Sequence, residues 1–259
     1  MLKLMSQGKQ RSRSNHRETT RERMVKLVFL ALTAAAAASL AVIAVNHASS
    51  AASNSTYVKP PNSDIIVPTQ VVRPTAVFIG DSYTAGAGST DAAHNFAEQV
   101  GVAEGWIVKN AGRGGTGYLN TASKAGCGLD YCPNYREMIP IAEKSQPSII
   151  VVSGGRNDLN KSGVAAQIAA FYTDLRTAFP KATILATSPL WDDDRAPAGI
   201  ATIAGEVKAA VKAAGGTYLD IGQPLAGKPD LIGPDGVHPN NAGYAAIAAS
   251  VIKAYPPAK

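Results

Sequence analysis

Four short segments of the 259-residue chain hold the residue types that acyl transfer requires. Gly80-Asp81-Ser82-Tyr83 offers a serine. Asn110-Ala111-Gly112 opens a glycine-rich loop that runs to Gly117. Gly155-Arg156-Asn157-Asp158 offers an amide side chain. Asp235-Gly236-Val237-His238-Pro239 offers a carboxylate and a histidine three residues apart. A serine hydroxyl is a weak nucleophile until a base takes its proton. The base must be held in one tautomer by a third group, and the oxyanion formed at the attacked carbonyl needs N–H donors. These segments can supply each of those roles.

The choice of base is narrow. The chain has four histidines, and His16 and His47 precede the region of regular apolar patterning. Asp91 and His94 repeat the carboxylate-x-x-His spacing of Asp235 and His238. They fall in a stretch with helical character, where residues three apart are neighbours and Asp is common as a cap. His94 is therefore expected to be a surface or helix residue. Gly236 and Pro239 hold His238 in a turn, so both histidines are candidates for the base and the setting favours His238. Asp81 and Asp158 are expected to be structural carboxylates that bond loop amides.

The elements that must carry these residues alternate. Short apolar runs at 75–79, 106–108, 148–152, 182–187 and 216–220 predict five buried strands. Helical spacing at 92–103, 134–145, 162–178, 198–214 and 241–254 predicts helices between and after them. Apolar strands alternating with helices imply a parallel sheet covered on both faces. Ligands bind such sheets beyond the carboxyl ends of the strands, where the first three segments stand.

In their order along the chain the four segments resemble the four sequence blocks of the SGNH (GDSL-type) hydrolase family, over nearly all of residues 75–255. The resemblance implies an α/β fold, a three-layer α/β/α sandwich on a mostly parallel sheet of about five strands, flavodoxin-like in outline. It implies Ser82 as nucleophile, His238 as general base and Asp235 as the group that orients His238. Gly112 and Asn157, with the backbone N–H of Ser82, would form the oxyanion hole. The expected activity is hydrolysis of carboxylic esters through an acyl-enzyme, on lipid, acetylated glycan or small ester substrates, without cofactor or metal. The family's usual Leu after Gly-Asp-Ser is Tyr83 here, so packing beside the acyl pocket differs. Transfer of the acyl group to a cell-envelope sugar is an alternative, as is a tethered binding module without catalysis.

Three further features need a reading. Gly112 to Gly117 matches G-x-G-x-x-G, but no helix start follows, so dinucleotide binding is not expected. Cys127 and Cys132 are expected to close a small disulfide loop in an exported domain, free thiols being the alternative. The run Trp191-Asp192-Asp193-Asp194 reads as a solvated acidic loop.

Charge sets the remaining expectations. Residues 1–26 hold eight of the chain's 25 Lys and Arg and two of its 19 Asp and Glu, which accounts for the whole net charge of +6. Residues 75–259, the expected hydrolase domain, are thus close to neutral, which argues against a basic nucleic-acid-binding domain. Residues 27–45 contain no charged side chain and are long enough to span a bilayer. The basic stretch before them predicts a cytoplasmic tail, followed by an anchor or a signal peptide cut after Ser50, Ala51 or Ala52. Residues 46–74, rich in Ser, Ala, Asn and Pro, read as a linker. The expected location is a bacterial cell membrane with the catalytic domain outside the cytoplasm, or the exterior after cleavage.

Overall fold

Strand β1 (Thr75–Gly80) lies second from one edge of a sheet whose order is β2-β1-β3-β4-β5. Its neighbours are β2 (Ile107–Asn110) and β3 (Ile149–Ser153), with β4 (Thr183–Thr187) and β5 (Thr217–Leu219) beyond β3. All four pairings are parallel, so the sheet has no antiparallel strand. This computed structural model describes residues 72–255. The expected basic tail, membrane segment and nearly all of the linker lie outside the described residues. Among the described residues no helix is long and apolar enough to cross a membrane.

Successive side chains of a strand point to opposite faces, and both faces here are apolar. Val77, Ile79, Ile150 and Val152 enter one core with Ile168, Phe171 and Leu175 of α5 (Val164–Ala178) and Val207 and Val211 of α6 (Ala198–Ala213). Ala76, Phe78 and Val151 enter the other. There they meet Phe96 and Val100 of α2 (Phe96–Glu104) and Tyr244, Ile247 and Val251 of α7 (Asn241–Ala254). Phe78 and Phe96 meet edge to face at 6.1 Å. Burying each such side chain stabilises the fold by roughly 1.5–3 kcal/mol. Two helical layers on an all-parallel sheet make the three-layer sandwich expected from the sequence.

The differences in detail have local causes. Strand β2 starts one residue after Trp106, which is buried, and as an edge strand it is largely exposed. The helix expected over 92–103 is broken at Asn95. Asn95 takes an extended conformation, accepts from the Ala97 N–H and donates to the Thr84 carbonyl. A tight turn, Ala92–His94, precedes the break. The stretch at 134–145 narrows to a turn at Arg136–Met138 and the short α4 (Ile139–Glu143). Two four-residue helices, α1 (Ser82–Ala85) and α3 (Lys124–Cys127), are too short to leave a periodic signal.

Candidate active site

The sheet register brings the first three segments together at one edge. Gly80 pairs with Ser153 and Phe78 with Asn110, so β1, β2 and β3 release their loops side by side. After Gly80 the chain turns into α1, capped by the Asp81 carboxylate, which accepts from the Tyr83 N–H at 2.9 Å. Gly80 is required here, because a Cβ would lie 2.0 Å from Thr84 Oγ1 and 2.2 Å from the Ser153 carbonyl oxygen. Ser82 is the first residue of α1, half-buried at this edge. Asp81 is fully buried, and that burial pushes its carboxyl up to about 6 against the pull of the Tyr83 N–H and the Arg156 charge.

The glycine-rich loop is tied to that turn. The Arg113 N–H donates to the Gly80 carbonyl at 2.9 Å, and Asn110 Nδ2 donates to the Thr84 carbonyl at 2.6 Å. Asn110 Oδ1 accepts from the Gly112 N–H at 2.9 Å. This corrects the expectation for Gly112. Its N–H is already engaged, the residue is buried, and a Cβ there would lie 2.4 Å from the Ala85 nitrogen. Gly112 is a close-packing glycine against α1 and not a free donor. Gly115, three residues on, has φ +72° and shares a cleft wall with Asn157. Its N–H makes no hydrogen bond among the described residues.

Asn157 Nδ2 donates to the Thr116 carbonyl at 2.9 Å. One amide proton is thereby used and the second remains for a ligand. Asp158, beside it, is buried and structural. It accepts from the N–H groups of Tyr118 at 2.7 Å, Leu119 at 3.1 Å and Asn120 at 2.9 Å. Burial raises its carboxyl above the usual carboxylate range despite those bonds. A Cβ on Gly117 would lie 2.3 Å from Asp158 Oδ2, which explains that glycine.

The fourth segment comes from the long connection between β5 and α7. Asp235 Oδ2 faces His238 Nδ1 at 2.6 Å, while Asp235 Oδ1 accepts from the N–H groups of Val237 at 3.0 Å and His238 at 2.9 Å. These bonds, led by the His238 backbone N–H, lower the Asp235 carboxyl to about 2. With Nδ1 donating to the carboxylate, Nε2 is left as the acceptor that a base requires. The segment reaches the turn that carries Ser82 through Tyr83, whose hydroxyl donates to the Val237 carbonyl at 2.6 Å and whose ring lies 5.9 Å from the His238 ring. No hydrogen bond joins the Ser82 hydroxyl to His238; such contacts commonly tighten only when substrate binds. The rival pair, Asp91 and His94, also bonds at 2.8 Å, but it sits on the surface with each side chain about half exposed.

The roles of Asp192 and Arg156 were not legible in the sequence, whereas the Cys127–Cys132 disulfide was expected. Asp192 is not part of a solvated loop: it is buried and paired with Arg156 Nη2 at 2.9 Å. Arg156 also donates to the Tyr83 hydroxyl. The only signal for Arg156 was its place beside Asn157. Cys127 and Cys132 form a disulfide, and its loop packs on the glycine-rich loop. A Cβ on Gly114 would meet the Gly126 carbonyl at 2.2 Å. A cleft of about 560 Å³ runs between these loops and α1, lined by Ala85, Asn95, Gly112, Arg113, Cys127 and Leu129.

Comparison with known proteins gives the family and the fold. Residues 78–246 match the model of the GDSL-like Lipase/Acylhydrolase family. A GDSL lipase of Mycobacterium tuberculosis is 30% identical over 191 residues, 68% of this chain and 79% of that one. Among solved structures, a carbohydrate esterase family 2 enzyme of Corynascus thermopiles is 21% identical with a TM-score of 0.54, over 71% of this chain and 65% of that one. The psychrotrophic esterase EstA of Pseudoalteromonas sp. is 16% identical with a TM-score of 0.54, over 70% and 96% of the two chains. These two share the fold. The family match spans the four segments from the end of β1 into α7, and the chain belongs to the GDSL-like lipase/acylhydrolase family, as a carboxylic ester hydrolase.

Proposed function

We propose that the chain hydrolyses its ester through Ser82, His238 and Asp235. His238 Nε2 takes the Ser82 proton as Oγ attacks the carbonyl carbon. The alkoxide leaves with the proton that His238 returns, and an acyl-enzyme remains. Water, deprotonated by His238, then releases the acid and restores Ser82. Asp235 keeps the proton on Nδ1 throughout and steadies the imidazolium. The tetrahedral oxyanion takes hydrogen bonds from the Ser82 N–H, the second Asn157 amide proton and the Gly115 N–H. Gly115 takes the place first read for Gly112, because the Gly112 N–H is already bonded. The observation that carries the reading is the bond of 2.6 Å between His238 Nδ1 and Asp235 Oδ2, on a segment tied through Tyr83 to the nucleophile's turn.

The substrate is proposed to lie outside the cytoplasm, as a lipid, an acetylated glycan or a small ester. Support comes from the basic tail followed by the uncharged segment at 27–45, and from the Cys127–Cys132 disulfide, a bond that persists in oxidising compartments. The test is a p-nitrophenyl ester series from acetate to long acyl chains, run beside Ser82→Ala and with fluorophosphonate labelling. Loss of both turnover and labelling in Ser82→Ala is expected. Turnover that survives in Ser82→Ala would remove Ser82 as nucleophile. A folded wild type that labels but does not hydrolyse would point to an acceptor other than water.

A further inference from the structure

Tyr83, Arg156 and Asp192 form a polar chain that touches three of the four site segments. Arg156 Nη2 donates to Asp192 Oδ2 at 2.9 Å, Arg156 Nη1 donates to Tyr83 Oη at 2.5 Å, and Tyr83 Oη donates to the Val237 carbonyl at 2.6 Å. The Arg156 and Asp192 side chains are only 10% and 11% exposed. Three of the bonded residues stand one position from a proposed site residue: Tyr83 follows Ser82, Arg156 precedes Asn157, and Val237 precedes His238.

The chain of bonds has one direction. A guanidinium can only donate, and a phenol has a single proton. Arg156 therefore occupies an acceptor position of the Tyr83 oxygen and leaves the phenolic proton for Val237. Burial raises the Tyr83 hydroxyl above its ordinary value, so that proton is retained. The guanidinium also lies 4.9 Å from the centre of the Tyr83 ring and 4.5 Å from that of Trp191, which limits its freedom. Replacing a buried ion pair by apolar side chains of similar volume is often neutral or stabilising. Space filling alone does not account for this arrangement, whereas directed bonds between three loops fix their relative position.

We infer that Tyr83 and Arg156, anchored by Asp192, are positioning residues that hold the His238 segment in register with the turn carrying Ser82 and with Asn157. The inference deepens the Ser82–His238–Asp235 reading and rests on it for its kinetic readout. Tyr83→Phe removes one hydroxyl and keeps the ring beside His238. In the full chain kcat is expected to fall roughly ten- to hundredfold, because small misplacements of a catalytic group carry costs of that order. KM is expected to stay unchanged. Arg156→Met should behave alike, and the double variant should be no slower than the slower single, since both act through one chain of bonds. Folded Tyr83→Phe protein within about twofold of wild-type kcat, or strictly additive losses, would overturn the inference.

A second readout needs no turnover. NMR of the full chain with isotope-labelled histidine, with His238 assigned by its loss in His238→Gln, reports the tautomer and exchange of its ring. Tyr83→Phe is expected to broaden or shift those signals. Unchanged signals would overturn the positioning role even if hydrolysis falls. Altered signals in a protein whose wild type hydrolyses no ester would instead defeat the triad reading and leave the positioning role standing.

Discussion

The Asp235 carboxylate holds His238 twice, through the backbone N–H at 2.9 Å and through ring Nδ1 at 2.6 Å. The same carboxylate also accepts from the Val237 N–H. One side chain thus builds the turn and sets the tautomer, and a substitution can separate the two tasks. Asp235→Asn keeps an oxygen for the backbone N–H groups but cannot accept from Nδ1 when its nitrogen faces the ring. We expect kcat to fall by roughly 10²–10⁴ with the fold retained. Kinetics and thermal melting of the variant check this. Near-normal kcat in folded Asp235→Asn would remove Asp235 from the mechanism. Because Asp235 titrates near 2, loss of activity at mildly acidic pH reports another group.

Gly112 and Asn157 should fail in different ways. A Cβ at Gly112 meets backbone of Thr84 and Ala85, which has little room to move. Gly112→Ala is expected to destabilise the protein by about 1–3 kcal/mol through overpacking. Asn157→Ala is expected to keep most of the stability and lower kcat by roughly 10²–10³, the effect of one lost oxyanion donor. Denaturation curves beside kcat values separate the two. Equal loss of stability in both would remove the distinction between a packing glycine and an oxyanion donor.

Asp81 should make stability depend on pH. Its carboxyl is raised to about 6 when folded, against an ordinary value of 3.8. Between those values the folded chain keeps a proton that the unfolded chain releases. Stability from this group is therefore fully present below 3.8 and is lost as pH rises through 6. Asp81→Asn keeps a cap acceptor for the Tyr83 N–H and cannot titrate. The variant should show a smaller fall in stability over that window than wild type, by denaturant titration at several pH values. Asp158 is raised in the same sense, so the test is the difference between the two proteins and not the slope of either. Parallel slopes would refute the assignment.

Reduction of Cys127–Cys132 should act on both stability and the cleft. Closing so short a loop is worth about 2 kcal/mol on a chain-entropy estimate. The loop also lines the cleft through Cys127 and Leu129 and packs on Gly114 and Gly115. Cys127→Ser with Cys132→Ser is therefore expected to lower the melting temperature and raise KM for the larger esters of a series. An unchanged KM would detach the disulfide loop from substrate binding.

The sequence by itself determined the sheet and the residues at its edge. Unbroken apolar runs such as 148–152 can be buried only where both faces are covered, and that condition implies strands between two helical layers. The four segments were legible because three follow apolar runs, the fourth lies in a turn before the last helix, and their order is that of the family's sequence blocks. The spacing is the same in the two Asp-x-x-His pairs, and it was the setting, a Gly and Pro turn for His238 and a helical stretch for His94, together with the match to the family's fourth block, that favoured His238. Only the tertiary structure decided which groups were already engaged. Gly112 reads as a donor until Asn110 is seen to take its N–H, and Asp192 reads as solvated until Arg156 is seen beside it. Tyr83 looked like a departure beside the acyl pocket and proved to bond the segment that carries His238, across 154 positions of sequence. Periodicity and composition report how much of a residue is buried. They cannot report the partner of a buried polar group, because that partner arrives from a distant loop whose path depends on the packing of the whole sheet.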